Sequence, residues 1–157
     1  MTKIEILDLI DREWQHLLFT AKGFEPESQT VAGAVGHWTL AQCLIHVAGW
    51  DEEVINLIHS FIGSGIKKEF PPNINDIIFE GKDNMDVEAT WEYLHNTHET
   101  FISYLASLPE SIFDPESHTG SWLGETVPQH YIGHRQDIEA FSEILLTRFR
   151  DHWRPYR

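Results

Sequence analysis

Apolar side chains recur every three or four residues in four separate stretches of the chain, a spacing that predicts four amphipathic helices. In the first, Ile6, Leu7, Ile10, Trp14, Leu17 and Leu18 follow Thr2, which pairs with Glu5 as a capping box. This helix is expected to end by Gly23. A loop rich in Gly, Ser, Pro and Thr follows, with Pro26, Gly33 and Gly36, until Trp38-Thr39 offers a second N-cap. The second helix is expected to run from Leu40 to about Ile62. Its stripe is Leu40, Leu44, Val47, Val54, Ile58 and Phe61, and Asp51 occupies the spacing between Val47 and Val54 on a face that should be dry.

From Gly63 to about Met85 the chain carries Gly63-Ser64-Gly65, Lys67-Lys68, Pro71-Pro72 and Gly81, so any helix there is short, at Ile74 to Phe79. Asp86 then caps a third helix with the stripe Val87, Trp91, Leu94, His98, Phe101, Leu105 and Leu108, which Pro109 terminates. After a loop through Pro115 and Gly120, Thr126 and Gln129 read as another capping box, with Pro128 in the first turn where its missing N–H matters least. The fourth helix is expected from Val127 to roughly Arg150. Its stripe is Val127, His130 or Tyr131, His134, Ile138, Phe141 and Leu145. No strand alternation and no internal repeat appear. The pattern predicts an all-α fold, a four-helix bundle formed by one domain over residues 1–157. The long second connection predicts a crossover along the bundle, since spanning ~30 Å takes only about nine extended residues. Helices two and three are then expected to run parallel.

Composition changes this picture little until the histidines are counted. The chain has 157 residues, 41% hydrophobic and 12% aromatic, within the range of ordinary globular domains. Eleven basic residues against 25 acidic ones give a net charge of −14, a field that repels phosphates and anionic lipid. The expectation is no nucleic acid and no membrane partner. No apolar run is long enough to span a bilayer, and Met1 to Gly23 is amphipathic and acid-bearing, so the default localisation is cytoplasmic. Four of the basic residues, Arg148, Arg150, Arg154 and Arg157, lie at the end and are expected to complement the last helix's C-terminus. Cys43 is the single cysteine and reads as a buried hydrophobe.

The charge sum leaves out ten histidines. His16, His59, His95 and His152 fall on solvent sides and His37 and His118 in loops, whereas His46, His98, His130 and His134 lie on or beside apolar stripes, where an imidazole needs a partner. His130 and His134, four apart on one helix face, have a spacing that lets two nitrogens reach one metal, although core packing produces the same pattern. Tyr131 follows His130 where a zinc protease would have glutamate, which excludes that signature. Gly133 between them leaves room for close approach by another helix or a ligand. His46 alone reads as a core histidine or a ligand. His98 reads as a hydrogen-bonded core residue, a further ligand, an outer hydrogen-bond donor or a base. Asp51 and Glu53 follow His46, and Asp137 follows His130, at spacings that let each carboxylate turn inward to fix an imidazole tautomer or assist catalysis, or remain solvated. Trp38, Trp50, Trp91 and Trp122 read as core and pocket walls.

The stretch Trp38-Thr39-Leu40-Ala41-Gln42-Cys43-Leu44-Ile45-His46-Val47-Ala48-Gly49-Trp50-Asp51-Glu52 resembles the second-helix motif of the DinB/YfiT-like superfamily. His130-Tyr131-x-x-His134 resembles that family's fourth-helix pair, and the helix number, the long second connection and Leu108-Pro109-Glu110-Ser111 extend the likeness over nearly the whole chain. The ClbS/DfsB-like and bacillithiol-transferase-like branches are most similar, on His130-Tyr131, Trp122 with Gly120 and Gly124, and the crossover around Asn73 and Asn75. The resemblance implies a divalent metal (nickel, zinc, iron or manganese) held by His46, His130 and His134 with open positions. It further implies a hydrolase or thiol transferase acting on a small electrophilic molecule, in detoxification or stress response, with Asp51 and Asp137 as candidate catalytic groups. A homodimer is also in keeping with the family. A non-catalytic protein that binds or sequesters a small molecule is the alternative. The chain has no strong basic cluster near the candidate site for an anionic thiol. Metal affinity is expected to fall below about pH 6, through the ordinary histidine range.

Overall fold

The computed structural model describes residues 1–152, with side chains through Arg148. Helix α1 spans Lys3–Lys22 and begins at the expected capping box, with Glu5 N–H donating to Thr2 Oγ1 and Thr2 N–H donating to Glu5 Oε2. A 3₁₀ turn at Pro26–Thr30 and a two-stranded antiparallel ribbon, β1 (Ala32–Val35) with β2 (Trp38–Thr39), follow. The ribbon was hidden in the sequence because two and four residues are too few for strand alternation to show. Helix α2, Leu40–Ser64, starts at a full capping box between Thr39 and Gln42. The crossover holds one short helix, α3, at Ile74–Phe79. Helix α4, Val87–Ser107, is capped by the Asp86 carboxylate.

The segment before the last helix departs from expectation. Helix α5, His118–Ser121, runs into a π-wound turn at Trp122–Thr126 and then into α6, Val127–His152, without a break. Thr126 is therefore inside helical chain and caps nothing; Ser117 is the N-cap, its hydroxyl accepting from Gly120 N–H. Pro128 has no N–H to offer the carbonyl four residues back, and π winding immediately before it, with Val127 N–H donating to the Trp122 carbonyl, accommodates the ring. Arg154 and Arg157, and the side chain of Arg150, on which the expected C-terminal charge complement falls together with Arg148, lie outside the described residues.

Helix directions follow from cross-contacts. Lys3 Nζ donates to the carbonyls of Ala106 and Leu108, and Asp11 lies beside His98, so α1 and α4 are antiparallel. Gly124 sits against Ile6, Arg135 beside Glu13 and Phe141 beside Phe24, so α6 runs parallel to α1. Trp50 lies against Trp122, whereas Gly33, which precedes α2, lies against Phe141, so α2 opposes α6. Helices α2 and α4 therefore run parallel, as a crossover requires. The stripes close on one core: Ile6, Ile10, Trp14 and Leu17 of α1, Leu44, Val47, Val54 and Ile58 of α2, Leu94, Phe101 and Leu105 of α4, and Ile138 and Phe141 of α6 are all buried. No described helix is long and apolar enough to cross a membrane.

Candidate metal centre

Two antiparallel helices supply the histidines. The Thr39 capping box fixes the start of α2, and His46 follows two turns later, 6% exposed. On α6, His130 and His134 stand one turn apart. The Nε2 atoms converge: His46 to His130 is 2.9 Å and His134 to His130 is 3.0 Å, with all three ligand atoms within 4.8 Å of one another.

The outer nitrogens explain the convergence. His46 Nδ1 donates to Asn75 Oδ1 at 3.0 Å, and His134 Nδ1 donates to Asp137 Oδ2 at 3.2 Å. Both acceptors lack a proton to give, so both rings carry their proton on Nδ1 and turn a bare Nε2 lone pair inward. His130 can donate to only one of them. Two or three lone pairs thus meet around one point, an arrangement a cation relieves. Nitrogens held about 2.0–2.1 Å from a common ion stand about 2.9 Å apart at a right angle and about 3.4 Å at the tetrahedral angle, so the 2.9 and 3.0 Å spacings about His130 fit a small divalent ion.

Burial keeps these rings neutral. It pushes His46 down to about 4, aided by His134 and opposed by the Asn75 hydrogen bond, and pushes His130 down to about 3, aided by His134 and His46. Burial also lowers His134, against the pull of Asp137. His46 and His130 therefore present unprotonated nitrogens well below neutrality, so acid competes for these two ligands at a lower pH than the expected 6.

The triad opens into a cavity of about 540 Å³ lined also by Trp50, Asp51, Val54, Asn75 and Trp122. No lysine or arginine is among its described lining residues. Trp50 and Trp122 face each other with centroids 6.4 Å apart and planes 20° apart, and Phe70 stands edge-on to Trp50 at 4.9 Å. Trp38 packs against His46 at 4.8 Å. The π turn is what places Trp122 and Thr126 on this wall.

Asp51 is 1% exposed, and the Tyr131 hydroxyl donates to both of its oxygens at 2.8 Å. Burial pushes the Asp51 carboxyl up, and His98 and Tyr131 pull it back down. Asp137 lies outside the cavity lining, half-exposed, and meets the site only through His134. Glu53 turns to Lys68 instead, at 3.2 Å. His98 reaches none of the triad; it stacks on Trp14. A Cβ on Gly133 would meet nothing within 4 Å, so this glycine faces open space and admits no helix. Cys43 is buried, and burial pushes its thiol up to about 12, in keeping with an inert core residue.

Sequence reading missed Asn75 as a partner of His46 and Gly49 as the reason it arrives there. A Cβ on Gly49 would overlap the Ile78 side chain, so α3 seats directly on the α2 backbone one turn past His46. The glycine beside a histidine-bearing stripe was the available signal.

Comparison with known proteins places this geometry. The chain shares its fold with the colibactin self-resistance protein ClbS, crystallised in complex with a dsDNA, at 13% identity and a TM-score of 0.75, over 90% of this chain and 96% of that one. DfsB, a sibling lethal factor precursor, matches at 11% identity and a TM-score of 0.76, over 92% and 97%. A protein from Streptococcus pneumoniae matches at 12% identity and a TM-score of 0.70, over 92% of each chain. No curated protein sequence matches. The ClbS complex corrects the exclusion of nucleic acid drawn from net charge: this fold does occur with duplex DNA. A sum of −14 over a whole surface does not fix the potential at any one face. The family model for the DinB superfamily matches residues 9–138, a span that holds all three histidines, and the chain belongs to that superfamily.

Proposed function

We propose that the protein is a divalent-metal-dependent hydrolase of a small, uncharged electrophile, with His46, His130 and His134 as the metal ligands. The observation that carries the reading is the convergence of three neutral Nε2 atoms, two with their outer nitrogens fixed, at the floor of an aromatic-walled cavity. A divalent ion held there supplies Lewis acidity and makes water a stronger nucleophile near neutral pH. The chain's own residues do the remaining work. Asn75 and Asp137 hold the imidazoles in the ligand tautomer. Trp50 and Trp122 offer flat apolar faces that position a partly planar substrate and exclude bulk water. Asp51 holds or accepts a proton at the cavity floor.

Hydrolysis is favoured over thiol transfer because no cation lines the cavity to pair with an anionic thiol. The test is calorimetric titration of metal-free protein with nickel, zinc, iron and manganese, followed by an electrophile panel in ¹⁸O water with and without a low-molecular-weight thiol. One equivalent of metal bound, its loss in His130→Ala, and ¹⁸O in the product without thiol support the reading. Absence of metal binding overturns it, and turnover only with thiol replaces hydrolysis by transfer. Tight substrate binding without turnover means sequestration. Duplex DNA is titrated alongside, because the ClbS crystal contains it.

A further inference from the structure

Beneath the cavity floor lies a buried acid–base group that the metal ligands do not use. His98, on α4, is 7% exposed, and neither ring nitrogen has a hydrogen-bond partner. Its plane lies flat on Trp14 of α1, centroids 4.0 Å apart and planes 8° apart, which fixes where the nitrogens point. Nδ1 points at Asp51 Oδ2 of α2, 3.8 Å away, and Nε2 points at Asp11 Oδ1 of α1, 4.0 Å away. From α6, Tyr131 faces the ring at 6.3 Å and gives its only proton to Asp51. The titratable groups facing His98 are therefore Asp51, Asp11 and Tyr131. Two are carboxylates on opposite sides of the ring, and Asp11 has a side chain 60% exposed.

A buried imidazole with two unmet nitrogens is costly as a packing residue alone. Held between two carboxylates and against an indole face, it suits a proton shared with Asp51, since a buried carboxylate and a buried imidazole near each other are least costly as a unit holding one proton. The Asp51 contact, at 3.8 Å, exceeds hydrogen-bond length by less than 1 Å. Asp51 is the member that reaches the cavity.

We propose that His98 and Asp51 form a proton-holding pair in which Asp51 exchanges the proton with a molecule bound at the histidine triad and His98 is the positioning residue that holds it in reserve. When Asp51 gives up the proton, the pair is left as carboxylate and neutral imidazole. When it takes a proton, His98 is left charged against Asp51 and stacked on Trp14. Asp11 provides the route by which solvent restores the balance. The inference rests on the reading of the triad as a substrate-facing site, but its test does not.

The test is ¹⁵N and ¹³C NMR of the histidine rings and aspartate carboxyls in metal-free protein, with Asp51→Asn, Asp11→Asn and His98→Gln. In the wild type the Asp51 carboxyl and the His98 ring are expected to change over one shared pH step. In Asp51→Asn the shared step is expected to be lost and the doubly protonated fraction of His98 to fall, and in Asp11→Asn the shared step is expected to remain, as expected for loss of a buried and an exposed partner respectively. Nickel affinity of His98→Gln should stay within about threefold of wild type, because the ring touches no ligand. Separate pH steps for Asp51 and His98 in the wild type overturn the pair, even if Asp51→Asn fails to fold. An unchanged His98 fraction in a folded Asp51→Asn also overturns it. Metal binding with separate steps sinks this proposal alone, and a shared step without metal binding sinks the triad reading alone.

Discussion

Replacing Gly49 by alanine tests how the crossover tunes the centre. The added Cβ overlaps Ile78, which is 4% exposed and has no free side to retreat into, so α3 must lift from α2. Asn75 rides on the same six-residue helix, three positions before Ile78. A lift of about 1 Å takes its Oδ1 from 3.0 Å beyond hydrogen-bond reach of His46 Nδ1. Overpacking costs about 1–3 kcal/mol of stability. Removing the outer partner of a ligating histidine costs about 10–100-fold in metal affinity, or about 1.4–2.7 kcal/mol. Calorimetric titration with zinc or nickel should therefore give Gly49→Ala a Kd 10–100 times that of wild type with unchanged stoichiometry. Ile78→Ala in the same chain removes the overlapping methyl and leaves the two Cβ atoms in tight contact at 3.3 Å, so the double variant should recover most of the affinity. Wild-type affinity in Gly49→Ala, or no recovery in the double variant, would refute the coupling.

Other perturbations follow the same geometry. Asn75→Ala should weaken metal about 10–100-fold and Asp137→Asn less, because the half-exposed Asp137 is replaced by an amide that still accepts from His134 Nδ1, and the two are compared in the same titration. Acid should release metal mainly below about pH 4, since burial holds His46 near 4 and His130 near 3 and a bound ion competes with protons for both nitrogens; release centred at pH 6, followed by a metal-sensitive dye, would contradict this. The metal-free fold responds with the same sign. Folded-state values lie below the unfolded 6.5, so the unfolded chain takes up more protons, and stability is full above 6.5 and declines as pH falls toward about 4 and 3. Urea unfolding at pH 7, 5.5 and 4.5 reads this decline, and His130→Gln should flatten it. Tyr131→Phe should cost about 1–3 kcal/mol in the same assay by leaving buried Asp51 without its donor.

What could be read from sequence divides by range along the chain. The starts of α1 and α4 and the position of α3 were legible because Thr2 with Glu5, Asp86, and the flanking proline and glycine clusters act within a turn. The histidines were legible by a spacing that any amphipathic helix displays, and their identity as a set came from order and likeness rather than periodicity. The helical run before α6 was not legible: Pro115 and Gly120 argue locally for a loop and Thr126 with Gln129 for a helix start, and burial of Thr119 and Leu123 against the bundle overrides them. Asn75 was not legible either, for it lies 29 residues from His46 and no local pattern links them.

Tyr131 and His130 show how one turn of helix serves core and cavity together. Adjacent residues on a helix point about 100° apart, so His130 faces the open cavity while Tyr131 is buried against Trp14 and Asp51. Asp51 in turn follows His46 on α2. Helices α2 and α6 are therefore tied twice, once through Asp51 and Tyr131 in the core and once through the imidazoles at the floor of the cavity. The core tie sets the distance between the two helices to within a hydrogen bond, which is the tolerance that three nitrogens around one ion demand. Placing an acid on an otherwise apolar stripe carries a desolvation cost, and a fixed helix spacing at the centre is what that cost maintains.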